Sequence, residues 1–183
     1  MLRFVPGQPD MWALVLFEAM LFTGYFTVYM VCRVMDPALF LESQALLDPR
    51  WGVLNTLVML TSSWFMARCV QQAREADYPA ALTSAVLTCA LGLVFVALKV
   101  GEWASEVNKG LTFTSNAFFS FYYFLTIIHF IHLLVGFVVL GIVIYQLRAP
   151  ARRSQEIVET GATYWHLVDF LWVMIFALLY LMR

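Results

Sequence analysis

Five long apolar runs dominate the sequence and set the fold class. A transmembrane helix needs about 20 predominantly apolar residues to cross the hydrocarbon core of a bilayer. Inside that core the backbone polar groups must be paired within the protein, and a helix pairs them within a single segment. We therefore predict an all-α integral membrane bundle, a single transmembrane domain over residues 1–183. Its five helices are expected at about residues 11–32, 51–70, 80–101, 117–145 and 161–182.

The composition excludes several function classes. Of the 183 residues, 62% are hydrophobic and 13% are charged, so little of the chain is expected outside the membrane. The net charge is -1 and no basic cluster exceeds Arg152-Arg153, so the electrostatic footprint of a nucleic-acid-binding protein is missing. Cys32, Cys69 and Cys89 form no CxxC motif, and GxSxG, HExxH and a glycine-rich phosphate loop do not occur. We therefore predict no self-sufficient active site.

The distribution of positive charge predicts the orientation in the membrane. Five spans place the two termini on opposite sides, and cytoplasmic loops are usually richer in Lys and Arg. The side that holds the N-terminus carries more arginines than the other side. The N-terminal side has Arg3, Arg68, Arg74, Arg148, Arg152 and Arg153, and the opposite side has Arg33, Arg50, Lys109 and Arg183, with Lys99 near its boundary. We expect a bacterial inner-membrane protein with a cytoplasmic N-terminus and a periplasmic C-terminus.

Ionisable residues inside the predicted spans are the candidate functional residues, because such groups are costly at membrane depth. A rise of about 1.5 Å per residue places Glu18 about 12 Å from the cytoplasmic end of the first helix. Asp169 and His166 lie at a similar depth in the fifth helix, so we expect these three side chains to form an inner polar cluster. His129 and His132 lie near the middle of the fourth helix.

Three pairs of polar residues are spaced three positions apart, which places the members of each pair on one helix face. The pairs are His129 with His132, His166 with Asp169, and Lys99 with Glu102. The last pair lies near the periplasmic end of the third helix, where we expect a partly hydrated ion pair of little energetic value. Asn55 adds a further polar group within the second helix.

Four interpretations of this polar set are open. A metal site would use His129, His132 and His166 with a carboxylate, although the depth estimates separate His166 from the other two. A haem b would need two histidines from facing helices. Glu18 would suit a proton relay, since intramembrane acids often serve in relays. The fourth interpretation is a network of interhelical hydrogen bonds, each contributing about 0.6 to 2 kcal/mol, that fixes helix order. We favour the network and predict neither a metal site nor a catalytic residue.

Five motifs in a fixed order carry a family resemblance. They are Phe17–Phe26 around Glu18, Leu54-Asn55-Thr56 with Thr61-Ser62-Ser63, Gly101-Glu102-Trp103, His129-Phe130-Ile131-His132 followed by Val135-Gly136, and Ala162–Trp172 with its Tyr164-Trp165-His166-Leu167-Val168-Asp169 core. Together they resemble subunit III of the haem-copper cytochrome oxidases over nearly the whole chain. Members of that family typically have seven helices, whereas this sequence starts at the glutamate-bearing helix. The short five-helix form resembles NorE, the accessory protein associated with bacterial nitric oxide reductases.

The resemblance implies a non-catalytic accessory subunit. Subunit III carries no haem or copper, packs beside the catalytic subunit that holds the haem and metal, and supports sustained turnover. The family glutamate at the Glu18 position is linked to proton uptake. Lipid binds between the helices of the family, in a cleft that involves the two helices lacking here. We therefore expect a chain that supports assembly, stability or proton supply of an oxidase in respiration or a nitric oxide reductase in denitrification.

One alternative function comes from a different class. A small membrane protein with intramembrane acids and histidines would also suit an independent transporter or proton conductor. Many transporters are built from inverted repeats, and no such repeat is visible in this sequence. Transport by the purified protein in liposomes would support this alternative.

Overall fold

The structure is a computed structural model that describes residues 8–182. Arg3 and Arg183, which enter the charge distribution above, lie outside these residues. Within the described residues five helices are long and apolar enough to span a membrane, which confirms the predicted all-α architecture of five spans. The helices are α1 (Pro9–Met35), α2 (Pro37–Leu46), α3 (Pro49–Arg74), α4 (Tyr78–Asn108), α5 (Ala117–Arg148) and α6 (Gln155–Phe176), with a 3-10 turn at Pro150–Arg152 and a π-helical turn at Ala177–Leu181.

The starts of the helices follow from short polar side chains placed just before them. Asp36, Asp48, Asp77, Asn116 and Ser154 each accept a hydrogen bond from a backbone N–H in the first turn of the helix that follows. These bonds satisfy donors that the helix itself leaves unpaired. A proline in the first turn of α2, α3 and α4 reinforces the start, because its fixed φ suits a helix and its missing N–H is not needed there.

Two features of the fold differ from the sequence prediction. The short helix α2 was not expected, and it fills the connection between the first two spans with Phe40 buried against the core. The helices also extend beyond the apolar runs. The clearest case is α4, which continues past Gly101 to Asn108 and carries the buried side chain of Glu106. Hydropathy alone ended this helix too early, because its last two turns mix buried polar groups with exposed ones.

The helix α6 forms the centre of the bundle. It contacts α1, α3 and α5, while α4 packs against α3 and α5. In the apolar window of α6, 61% of the residues are buried, against 11% in α1, so α1 is peripheral. The backbone N–H of Gln8 donates to Thr160 at 3.0 Å, and Arg33 donates to the carbonyl of Met182 at 2.6 Å. The two helices therefore run parallel, and we call the end at which they start the N-terminal face and the other the C-terminal face.

Small residues around Trp165 allow the helices to approach closely. A Cβ atom on Gly92 or Gly136 would lie 3.0 or 3.1 Å from the ring of Trp165, so these glycines leave room for the indole. The indole N–H donates to Ser62 Oγ at 3.1 Å, and Ser62 Oγ donates to the carbonyl of Thr88 at 3.0 Å. These contacts join α3, α4, α5 and α6 in one layer, as expected of small and polar residues at helix interfaces in lipid.

Candidate functional site

A carboxylate and an imidazole meet near the middle of the bundle, between α1 and α5. Glu18 Oε2 lies 3.2 Å from His132 Nε2, and the two side chains are 13% and 18% exposed. The ring of Phe22 packs edge-on against His132 at 5.6 Å, and the hydroxyl of Tyr164 donates to the His132 carbonyl at 3.2 Å. Glu18 therefore tethers the peripheral helix α1 to α5 through a contact that is mostly shielded from lipid.

The hydrogen bond of His132 Nδ1 fixes which ring nitrogen faces Glu18. The second ring nitrogen, Nδ1, lies 2.8 Å from the carbonyl oxygen of Ile128. A carbonyl only accepts, so Nδ1 carries a proton. Nε2 is then the ring nitrogen that faces the Glu18 carboxyl group, 3.2 Å from Oε2. Two groups that are able to carry a proton, a carboxyl group and an imidazole nitrogen, thus lie next to each other inside the bundle.

The neighbouring His129 has a different environment, although it lies three residues away on the same helix. Its imidazole is fully buried between the rings of Phe95 and Trp172, at centroid distances of 5.7 and 5.3 Å. Neither ring nitrogen has a hydrogen-bond partner among the described residues. The two histidines therefore have separate contacts. Whereas His132 reaches α1, His129 packs between the aromatic rings of α4 and α6.

The other predicted pair lies between α6 and α3. His166 Nδ1 is 2.7 Å from Ser63 Oγ and 3.8 Å from Asp169 Oδ2. The side chain of Asp169 is 5% exposed, whereas that of His166 is 41% exposed. The expected cluster of Glu18, His166 and Asp169 is therefore distributed over two contacts. Glu18 faces His132 on α5, and the other two residues face Ser63 on α3.

Lys99 and Glu102 form the predicted ion pair, but the prediction that this pair is partly hydrated is wrong. Both side chains are 1% exposed, and Lys99 Nζ lies 3.0 Å from Glu102 Oε2. Lys99 also donates to the hydroxyls of Tyr122 and Tyr180 at 3.3 and 3.0 Å, and both hydroxyls donate to Glu102 Oε1. The Trp172 ring lies 5.1 Å from Nζ, in cation–π contact. This polar cluster joins α4, α5 and the C-terminal π-helical turn.

The sequence prediction missed several members of these contacts. Tyr122 and Tyr180 hold the ion pair, but tyrosines are too common in membrane helices to single out. Ser63 belongs to a motif of the sequence analysis, but its contact with His166 was not expected. Glu106 could have indicated that the Lys99–Glu102 face continues. It lies four residues after Glu102 and therefore on the same face if the helix continues. Asn55, which was predicted, is fully buried, and its amide group has no hydrogen-bond partner among the described residues.

The described residues bring together no set of metal ligands. No three side chains of His, Cys, Asp or Glu converge in that part of the chain. Cys69 is buried, Cys32 and Cys89 are half-buried, and all three are free thiols. His129 and His132 hold no group between them, because one faces aromatic rings and the other faces Glu18. The arrangement can therefore fix helices and hold a proton, and none of the described contacts suits a redox centre.

Comparisons with known proteins show what this chain is similar to. The family model of cytochrome c oxidase subunit III matches residues 9–183. A cytochrome c oxidase subunit 3 from Synechocystis is 32% identical over 96% of this chain and 78% of that protein. A probable cytochrome c oxidase subunit 3 from Nocardia farcinica is 28% identical over 91% of this chain and 83% of that protein. A quinol oxidase subunit 3 from Bacillus subtilis is 26% identical over 90% of this chain and 81% of that protein.

The residues matched by the family model include all five spanning helices, and with them His132, His166 and the residues that these histidines contact. The family and the structure thus agree on a multi-pass, all-helical membrane protein. This chain belongs to the cytochrome c oxidase subunit III family.

Proposed function

We propose that this chain is a non-catalytic accessory subunit of a haem-copper respiratory complex and that the Glu18–His132 pair supplies protons to its catalytic partner. The observation that carries the proposal is the 3.2 Å contact of Glu18 with His132 near the middle of the membrane-spanning helices. Such intramembrane acids are costly and often serve in proton relays. The haem and metal would lie in the partner subunit, because the described residues bring no ligand set together.

The same contact supports a second, structural contribution to the complex. The peripheral helix α1 contacts α6 and packs the ring of Tyr25 against Phe124 of α5, and Glu18 adds a polar tether to α5. A polar contact between helices contributes at most about 2 kcal/mol in a membrane. We infer that the pair also keeps α1 in place during assembly of the complex.

The orientation and the reaction served are also part of the proposal. Arg68, Arg74, Arg148 and Arg153 lie at or near the N-terminal face, which supports placing that face in the cytoplasm of a bacterium. The names of the relatives support a terminal oxidase as the complex. The resemblance to NorE makes a nitric oxide reductase the second candidate.

Replacing Glu18 by glutamine is expected to separate proton supply from assembly. The glutamine amide can still donate to His132 Nε2, so the tether is kept, but the group no longer exchanges a proton. We expect the E18Q variant to assemble at the wild-type level while turnover of the complex falls several-fold. The measurement compares oxygen and nitric oxide consumption by membranes of a deletion strain that expresses the wild type, E18Q or E42Q. Glu42 is an exposed acid on α2 and serves as the matched control.

The outcomes distinguish the parts of the proposal. Full turnover of E18Q at full assembly would exclude proton supply and leave the structural role. A deletion strain with unchanged oxygen consumption, nitric oxide consumption and membrane haem content would contradict the accessory function as a whole.

A further inference from the structure

One stripe of the central helix α6 is exposed between α1 and α3. At about 100° per residue, Thr163, His166 and Phe170 fall on one face of the helix, and the side chain of Phe170 is 58% exposed. On one side of this stripe Thr160 contacts the start of α1, and on the other side His166 contacts Ser63 of α3. The stripe is therefore the floor of a surface groove, and α3 forms one of its walls.

The groove exposes a polar group, the imidazole of His166, which a surface that faces only lipid tails would not expose. Its Nδ1 faces Ser63 and Asp169, so Nε2 on the opposite side of the ring faces outward. The side chain is 41% exposed and lies near the middle of the spanning helix. Hydrocarbon offers no hydrogen-bond partner to an imidazole nitrogen, so such exposure to lipid is costly. By contrast, both ring nitrogens of His132 have partners within the chain, because Nε2 contacts Glu18 and Nδ1 donates to the carbonyl of Ile128.

The shape of the groove suits a helix. Towards the N-terminal face it contains a cavity of about 230 Å³ whose walls include the small residues Ala67, Ala162 and Thr163. Small residues on a helix surface let another helix approach closely in a membrane. The Arg74–Glu159 ion pair, with a 2.9 Å contact, closes the end of the cavity. The groove therefore has polar side chains at both ends, the Arg74–Glu159 ion pair and His166, and small side chains between them.

We propose that this groove, the α3–α6 groove formed by Ala67, Ala162, Thr163 and His166, docks a transmembrane helix of the catalytic partner subunit. That helix would place a hydrogen-bonding side chain against His166 Nε2 and pack closely over the small residues. The identity of the partner rests on the proposed function. The requirement for a polar helix rests on the exposed imidazole alone.

Site-specific photo-crosslinking in native membranes tests the docking site. A benzophenone amino acid replaces Thr163 in the groove or, as the matched outside position, Val138 on α5, which is 66% exposed. We expect the Thr163 probe to crosslink to a haem-containing large subunit, identified by mass spectrometry, and the Val138 probe not to do so. Crosslinking of that subunit from Val138 but not from Thr163 would overturn the docking site and leave the accessory function intact.

Replacement of His166 by leucine provides a second test that separates a partner from lipid. Leucine suits a lipid-facing surface but cannot bond a polar helix. We expect H166L to retain roughly tenfold less catalytic subunit on purification, the effect of one lost interhelical hydrogen bond. We expect H166Q to restore much of this loss and V138L, on α5 outside the groove, to show none. Equal partner retention by H166L would overturn the inference. If no haem-containing subunit accompanies even the wild-type chain, the proposed function fails as well.

Discussion

Replacing Lys99 by methionine is expected to destabilise the folded chain by about 3–5 kcal/mol, the usual cost of leaving one member of a buried ion pair alone. Methionine fills a similar volume, so the effect comes from charge and hydrogen bonding and not from a cavity. The substitution leaves the Glu102 carboxylate at 1% exposure with only the hydroxyls of Tyr122 and Tyr180 as partners. The C-terminal π-helical turn, held to α4 through Tyr180, should loosen first. Unfolding of the purified chain in mixed micelles, followed by far-ultraviolet circular dichroism, measures the loss.

Two further variants give the Lys99 prediction its controls. In K99M/E102Q the glutamine oxygen still accepts from both tyrosine hydroxyls while the unpaired charge is gone, so most of the lost stability should return. The R74M variant removes the cation of a pair whose arginine side chain is 56% exposed, and it should cost at most about 1 kcal/mol. If K99M and R74M proved equally mild, the buried ion pair would not be a main tie of the bundle.

Replacing Trp165 by alanine is the second change with a large expected effect. The indole is fully buried, fits against Gly92 and Gly136, and donates to Ser62. Its removal leaves a cavity at the layer where four helices meet, and large-to-alanine changes of this kind cost about 3–5 kcal/mol. The same micelle unfolding experiment measures the change. We expect W165F to lose only about 1 kcal/mol, because it keeps most of the packing and loses one hydrogen bond.

Trp64 on α3 is the matched control for Trp165. It is 54% exposed, and its ring contacts Phe65 and Arg68 on its own helix. Surface substitutions are usually within about 0.5 kcal/mol, so W64A should leave the unfolding curve almost unchanged. A loss for W64A as large as that for W165A would show that tryptophan loss perturbs the micelle and not the helix layer.

The five spans were predictable because length and apolar content alone decide whether a helix crosses a bilayer. The partners of the polar residues were not, because spacing along one helix fixes a face but not the helix that this face meets. Glu18 illustrates this limit. Its estimated depth matched that of His166 and Asp169, but rotation and packing order direct it to His132 on α5. Three-residue spacing predicted the His166–Asp169 contact because both residues lie on one helix.

The Lys99 cluster shows a second physical reason for a missed feature. In the sequence prediction this helix ends at Gly101, which places Lys99 and Glu102 at its water-exposed end. The observed helix continues to Asn108, and its face that holds Lys99 and Glu102 stays buried for another turn, as far as Glu106. Two tyrosines distant in sequence then provide the partners that make the burial tolerable. Such partners come from tertiary packing and leave no local pattern.

The most direct test of the accessory-subunit proposal is purification of the tagged chain from its native membranes in a mild detergent, with a visible spectrum of the product. We expect a haem-containing large subunit in equimolar amount, and its haem type and metal content would identify an oxidase or a nitric oxide reductase. A colourless chain that purifies alone from membranes rich in respiratory complexes would contradict the proposal and favour an independent transporter or proton conductor.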